Sequence, residues 1–249
     1  VTAESRVKKS IERAAAAGLR WVVPGDREWP AALDDLDGFD GINGVAGAPL
    51  GLWLAGVGNL RELTERSVGI VGARNCTTYG AEMATEIAAD CADNGFTVIS
   101  GAAFGIDASA HRGAMSLAHP TIAVMACGAD VDYPRAHAAM LERVLENGVI
   151  VSEFPPGEPP QRHRFLTRNR IIAGLATGVI VIEAASRSGS LNTLHWADQL
   201  GRTTMGVPGP ATSQASAGVH TAIREGKAIL VTDGNDVLQE LVGLDHSLS

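Results

Sequence analysis

Four glycine-bearing turns and one arginine-rich run hold most of the chemistry that this sequence offers. The apolar run 67–72 (SVGIVG) leads through Gly72 and Ala73 to Arg74 and Asn75, a tight turn with a guanidinium just before a helix. A second turn contains Ser100, Gly101, Gly105 and Asp107, with His111 one helical turn further on. A third follows Glu183 and contains Arg187, Ser188, Gly189 and Ser190; a fourth is Val207-Pro208-Gly209-Pro210. Glycine lets a backbone approach a ligand closely, and the N-terminus of a helix attracts anions through its free N–H groups. One such turn means little, because strand-to-helix turns use glycine for steric reasons alone. Four of them at one sheet edge point to an anion- or nucleotide-binding site.

Residues 161–170 (QRHRFLTRNR) add Arg162, Arg164, Arg168 and Arg170 around His163, Phe165 and Asn169, with no acid among them. Arginine pairs bidentately with phosphate, and an aromatic ring offers a face on which a base can stack. The spacing predicts a loop here that leads into a helix over 171–176. The net charge of the whole chain is −8, which by itself argues against a polyanion partner. The charge is unevenly placed, however: residues 160–202 carry six arginines against Glu183 and Asp198. A local positive field on an acidic body suits a protein that holds a polyanion along one groove and repels it elsewhere.

Enzymatic motifs are missing. Gly226-Lys227 is followed by alanine and precedes a strand, so it is not a phosphate-binding loop, and no GxGxxG follows a strand. Ser188-Gly189-Ser190 lacks the spacing of a hydrolase nucleophile turn. Asp107 and His111 stand at i and i+4, where they could share a hydrogen bond as an acid–base couple. No nucleophile or metal cluster accompanies them, and a structural role is favoured, with Asp107 capping a helix and His111 packing or donating to a loop carbonyl. Cys76, Cys91 and Cys127 have no metal-ligand spacing and read as reduced packing residues. No cofactor or metal is expected.

These turns must be held by regular elements, and the pattern around them is strict. Apolar, β-branched runs recur at 67–72, 96–100, 121–127, 149–152, 179–183, 203–208 and 228–232, each of the length of a buried strand. Helical segments lie between them; over 78–94, Tyr79, Met83, Ile87 and Cys91 fall four apart on one face. The alternation predicts an α/β fold with a doubly wound, mainly parallel sheet, whose ligands bind beyond the carboxyl ends of the strands at the topological switch point. Short strands are expected at 21–23 and 52–54. Residues 4–17 predict a short helix ended by Gly18, an N-terminal helical remnant (1–18) ahead of one domain over 19–245. A stripe of Val237, Leu238, Leu241, Val242 and Leu244 near the end is apolar enough to serve a partner subunit. No apolar run reaches the roughly 18–20 residues of a membrane span, and the opening VTAESRVKK is not a signal peptide, so a cytoplasmic location is expected.

Taken in order, these stretches resemble the DprA/Smf family of DNA-processing proteins. The resemblance is carried by GIVGAR (69–74), SGAAFGIDASAHRGAM (100–115), AVMACGADVDYP (123–134), SEFPPGEPP (152–160), RNRIIAGLA (168–176), EAASRSGSLNT (183–193) and VPG (207–209). It spans roughly 67–232; Leu166, where the family usually has proline, and Leu194 with His195 depart from its pattern. The resemblance implies an extended Rossmann-like fold, sequence-independent binding of single-stranded DNA, a homodimer, and delivery of the strand to a RecA-type recombinase in natural transformation. It further implies that Gly72, Arg74, Ser100, Gly101, Gly105, Asp107 and His111 form a phosphate-facing pocket. Phe165, Arg168, Asn169 and Arg170 would then form an adjoining wall, and Ser188, Gly189 and Ser190 would close the pocket. The competing readings are a nucleotide-processing enzyme of phosphoribohydrolase type, whose PGGxGTxxE stretch this sequence lacks, and a nucleotide-sensing domain, which would not need the arginine run.

Overall fold

A computed structural model describes residues 3–39 and 47–242. The chain runs from helix α1 (Ala3–Ala16) through strands β1 (Arg20–Val22) and β2 (Leu52–Ala55) and the short helix α2 (Leu60–Thr64). Regular alternation follows: β3 (Ser67–Val71), α3 (Thr78–Asp93), β4 (Thr97–Ser100), α4 (Ile106–Ser116), β5 (Thr121–Val124), α5 (Ala138–Asn147) and β6 (Val149–Ser152). The last part is α6 (Arg164–Leu175), β7 (Gly178–Val181), α7 (Ser190–Gln199), β8 (Thr203–Gly206), α8 (Ala217–Arg224), β9 (Ile229–Leu230) and α9 (Gly234–Val242).

The strands form one sheet in the order β1-β2-β6-β5-β4-β3-β7-β8-β9. All pairs from β6 to β9 are parallel, while β1 and β2 add an antiparallel edge. Every residue of β3, β4, β5, β6 and β7 is buried, because helices cover both faces; that is why these strands read as unbroken apolar runs. On one face α3, α4 and α9 pack on Val68, Ile70 and Val98 through Ile87, Cys91 and Leu241. On the other, α6, α7 and a 3-10 stretch over 31–38 pack through Leu33, Leu36, Ile172 and Trp196. Chain order reverses between β3 and β7, so the switch point lies between their carboxyl ends.

The doubly wound, mainly parallel, Rossmann-like sheet is as the sequence predicts, and each expected strand is present within a few residues. Two readings need correction. Helix α6 begins at Arg164, seven residues ahead of the expected 171, so most of the arginine run is helix and not loop. The α9 stripe is used by the chain itself: Val237 and Leu241 are buried against its own core, Leu238 packs beside them, and Val242 is exposed. Leu244 lies outside the described residues. Helix α1 ends at Ala16 and the chain turns at Gly18, where a break was expected, with a positive φ of 64°; Arg13 anchors the helix through an ion pair to Asp130. No described helix is long and apolar enough to cross a membrane.

Candidate functional site

At the switch point the turns after β3, β4 and β7 and the first half of α6 enclose an open cleft of about 650 Å³. Gly72, Arg74 and Asp107 line one side, Phe165, Arg168 and Asn169 another, and Ser188, Gly189 and Ser190 a third. Two glycines let the turns interlock. Gly105 starts α4 with a φ of +77°, and a Cβ there would lie 2.3 Å from the carbonyl oxygen of Ala73. At Gly101 a Cβ would stand about 2 Å from the guanidinium of Arg168, so only glycine leaves room for that side chain to pass.

Arg168 is the centre of the cleft floor, and it is 6% exposed. Its Nη1 donates to the carbonyl oxygens of Gly101 (2.6 Å) and Val124 (2.7 Å), its Nε donates to Asn169 Oδ1 (3.3 Å), and its Nη2 lies 3.9 Å from Asp107 Oδ2. The guanidinium therefore ties α6 to the carboxyl ends of β4 and β5. Asp107 is equally buried and accepts from the Ala103 N–H at 3.4 Å. Burial pushes its carboxyl above the usual range, and Arg168 opposes that push; burial acts on Arg168 in the opposite sense, and Asp107 opposes it. Asn169 Nδ2 donates to Gly189 O (3.1 Å) and Asn192 Oδ1 (3.3 Å), which fastens α6 to the turn after β7.

Several residues that the sequence places on the ligand are elsewhere. Arg170 is 3% exposed, faces away from the cleft lining, and donates to Glu153 Oε1 at 2.6 Å. Arg164 bonds Glu158 (2.9 Å) and Pro159 O (3.1 Å) and lies over the ring of Phe154. Ser100 is fully buried, its hydroxyl donating to Ile70 O at 2.6 Å. His111 is also fully buried, with Nδ1 2.8 Å from Thr121 Oγ1; desolvation and then Arg168 lower its pKa to about 3, so the ring is neutral. Asp107 and His111 thus answer to different partners and form no acid–base couple. Asp107 is not a helix cap either, since Gly105 occupies that position. Ser100, at the end of β4, shows why: a polar residue beside a strand-to-helix turn reads alike whether it points into the cleft or back into the sheet.

The groups that do face outward form a different set. The Arg74 guanidinium lies 4.4 Å above the Phe165 ring, and Tyr133 approaches the same ring at 5.9 Å. Phe104 is half-exposed beside them, its ring 4.7 Å from that of His137. Arg162 and Arg187 are exposed and make no ion pair among the described residues. Tyr133 and Phe104 were missed by the sequence reading. Both sit on strand-to-helix turns at the carboxyl edge, and an aromatic residue in such a turn is the signal that could have found them. Among the described residues no group of three or more His, Cys, Asp or Glu is arranged to hold a metal ion.

Comparison with known proteins shows the family. Residues 20–242 match the family model described as DNA recombination-mediator protein A. A DprA-designated protein of Mycobacterium tuberculosis is 44% identical over 240 residues, which is 96% of this chain and 61% of the relative. The chain therefore spans about three-fifths of that relative's length. The crystal structure of DNA processing protein A from Streptococcus pneumoniae superposes with a TM-score of 0.83 at 34% identity, covering 96% of this chain and 78% of that one. The Helicobacter pylori DNA processing protein A, whose structure describes a single-stranded DNA binding mode, gives a TM-score of 0.76 at 25% identity, covering 90% of this chain and 96% of that one.

Proposed function

Because this chain belongs to the DNA recombination-mediator protein A family, which is the DprA/Smf family, we propose that its switch-point cleft holds single-stranded DNA without regard to sequence. The observation that carries the reading is the Arg74–Phe165–Tyr133 stack at the cleft, whose lining also includes the exposed Arg162. A strand needs phosphate partners and flat apolar faces at alternating positions, and this rim offers both. The membership favours strand binding over the phosphoribohydrolase-type alternative. The protein acts by binding and not by turnover: Asp107 is committed to Arg168 and His111 to Thr121, so neither is placed to move a substrate proton. In this reading residues 19–245 form the binding domain of a cytoplasmic homodimer that passes the strand to a RecA-type recombinase. Of the α9 stripe, Val237 and Leu241 already pack in the chain's own core, which leaves Leu238 and Val242 as its more exposed described members. Fluorescence anisotropy with single-stranded and duplex oligonucleotides at two salt concentrations tests the reading. Equal affinity for both forms, or binding to neither, would sink it.

A further inference from the structure

In a doubly wound sheet the helix that follows the strand at the switch point offers its N-terminus to the phosphates of a bound nucleotide. Here that helix is α3, and a carboxylate of the protein already stands at its end. Glu183, two residues past the end of β7, is 1% exposed. Its Oε2 accepts from the backbone N–H of Thr77, the cap residue of α3, at 2.8 Å, and its Oε1 accepts from the Thr77 hydroxyl at 2.6 Å. The Thr77 hydroxyl oxygen in turn accepts from the Gly80 N–H at 3.1 Å. A Cβ on Gly80 would lie 2.4 Å from Glu183 Oε2, so the carboxylate rests directly on the first turn of the helix. The strand's own turn is locked to it as well, since Ala73 N–H donates to Glu183 O at 2.8 Å.

We infer that Glu183 is a built-in anion that occupies the phosphate position of the switch-point helix, and that it sets the cleft's preference for a polynucleotide over a free nucleotide. A phosphate brought to this end of α3 would meet a negative charge, fixed and buried, on the donors it needs. A ligand is left with the outer surface of the cleft, where Arg74 and Arg162 can each take a separate phosphate of a strand. A free nucleotide carries its phosphates as one contiguous group, whereas a strand presents one per nucleotide along its length. The inference rests on the reading that the cleft takes a strand, but the position of Glu183 can be tested without DNA.

The experiment compares wild type with Glu183→Ala by thermal melting in sodium formate, in formamide, and in sodium chloride of matched ionic strength. The wild type should be indifferent to formate. Glu183→Ala should melt lower and regain much of the loss in formate, which restores a carboxylate to the Thr77 donors, but not in formamide, which has the shape without the charge. In parallel, calorimetry on the wild type with ATP and with pyrophosphate should give dissociation constants no tighter than about 1 mM. A Glu183→Ala protein that folds but ignores formate overturns the inference, as does micromolar nucleotide binding to the wild type that Thr77→Val abolishes. If Glu183→Ala does not fold, the wild-type calorimetry decides alone. Should the wild type bind no oligonucleotide, the proposed function falls, while the formate response still reads the role of Glu183.

Discussion

Replacing Arg168 by methionine separates a floor residue from a ligand residue. The structure assigns Arg168 two buried carbonyl partners and a buried carboxylate 3.9 Å away, all inside the protein. Removing one partner of a buried pair leaves an uncompensated charge and costs about 3–5 kcal/mol. For a domain of this size each kcal/mol moves the melting temperature by about 2–4 °C, so the fall should be about 6–20 °C. Its pH dependence follows from Asp107. Burial already holds that carboxyl above its ordinary value, and without Arg168 it rises further. The folded variant then keeps a proton that the unfolded chain releases near pH 4, so its stability drops as pH rises through the folded pKa. The deficit against wild type is therefore largest at neutral pH and shrinks in acid. Adding Asp107→Asn to Arg168→Met should recover part of the loss. Below the melting transition the variant should bind oligonucleotide with an unchanged salt dependence. A melting temperature within about 2 °C of wild type, together with weaker binding and a flattened salt slope, would refute the assignment and make Arg168 a phosphate ligand.

The outward-facing residues should respond in other ways. Arg74→Ala should cost about 1–3 kcal/mol of strand affinity and flatten the plot of log K against log salt by about 0.7, the contribution of one phosphate on a single strand, with little change in melting temperature. Phe165→Ala should cost about 1–3 kcal/mol of affinity and leave that slope alone, because stacking releases no counterion; anisotropy titrations at several salt concentrations distinguish the two. His111 stays neutral in the folded protein down to about pH 3, whereas the unfolded chain takes up its proton near 6.5, so wild-type stability should fall as pH drops from about 6.5 toward 3. His111→Asn, which removes the titrating ring, should make the melting temperature less sensitive over that range even though it starts lower.

The sheet was legible because helices cover it on both faces, which leaves an unbroken apolar signature such as VIVS in β6 or GVIV in β7. The start of α6 was not, and the reason is chemical. Its buried side near the N-terminus is made of Arg168, Asn169 and Arg170, so the segment lacks the apolar period by which an inward helix face is recognised. The same residues misled the site reading. Arginines in an acid-free run look like an exposed cationic loop, yet Glu153, seventeen residues away in sequence, claims Arg170, and carbonyls from two strands claim Arg168. Such partners are set by tertiary packing, which spacing along one segment does not reveal. The turns that line the cleft were found from their glycines and their position after strands. The aromatic partners at the rim emerge only when β4, β5 and α6 are brought side by side.

The stack of Arg74 on Phe165 also bears on how the empty cleft behaves. An uncovered phenyl ring beside a groove is an invitation to any apolar surface, its own kind included. Here a guanidinium lies over that ring, so the unliganded rim presents a cation to water. In the proposed function, a base stacking on Phe165 would take the place of this cover. The displaced guanidinium is then free to meet the phosphate that arrives with the base. On that reading recognition here would be an exchange, one partner of the ring for another, and it would favour a ligand that brings a phosphate to receive the arginine, as a nucleic acid does and a greasy peptide does not.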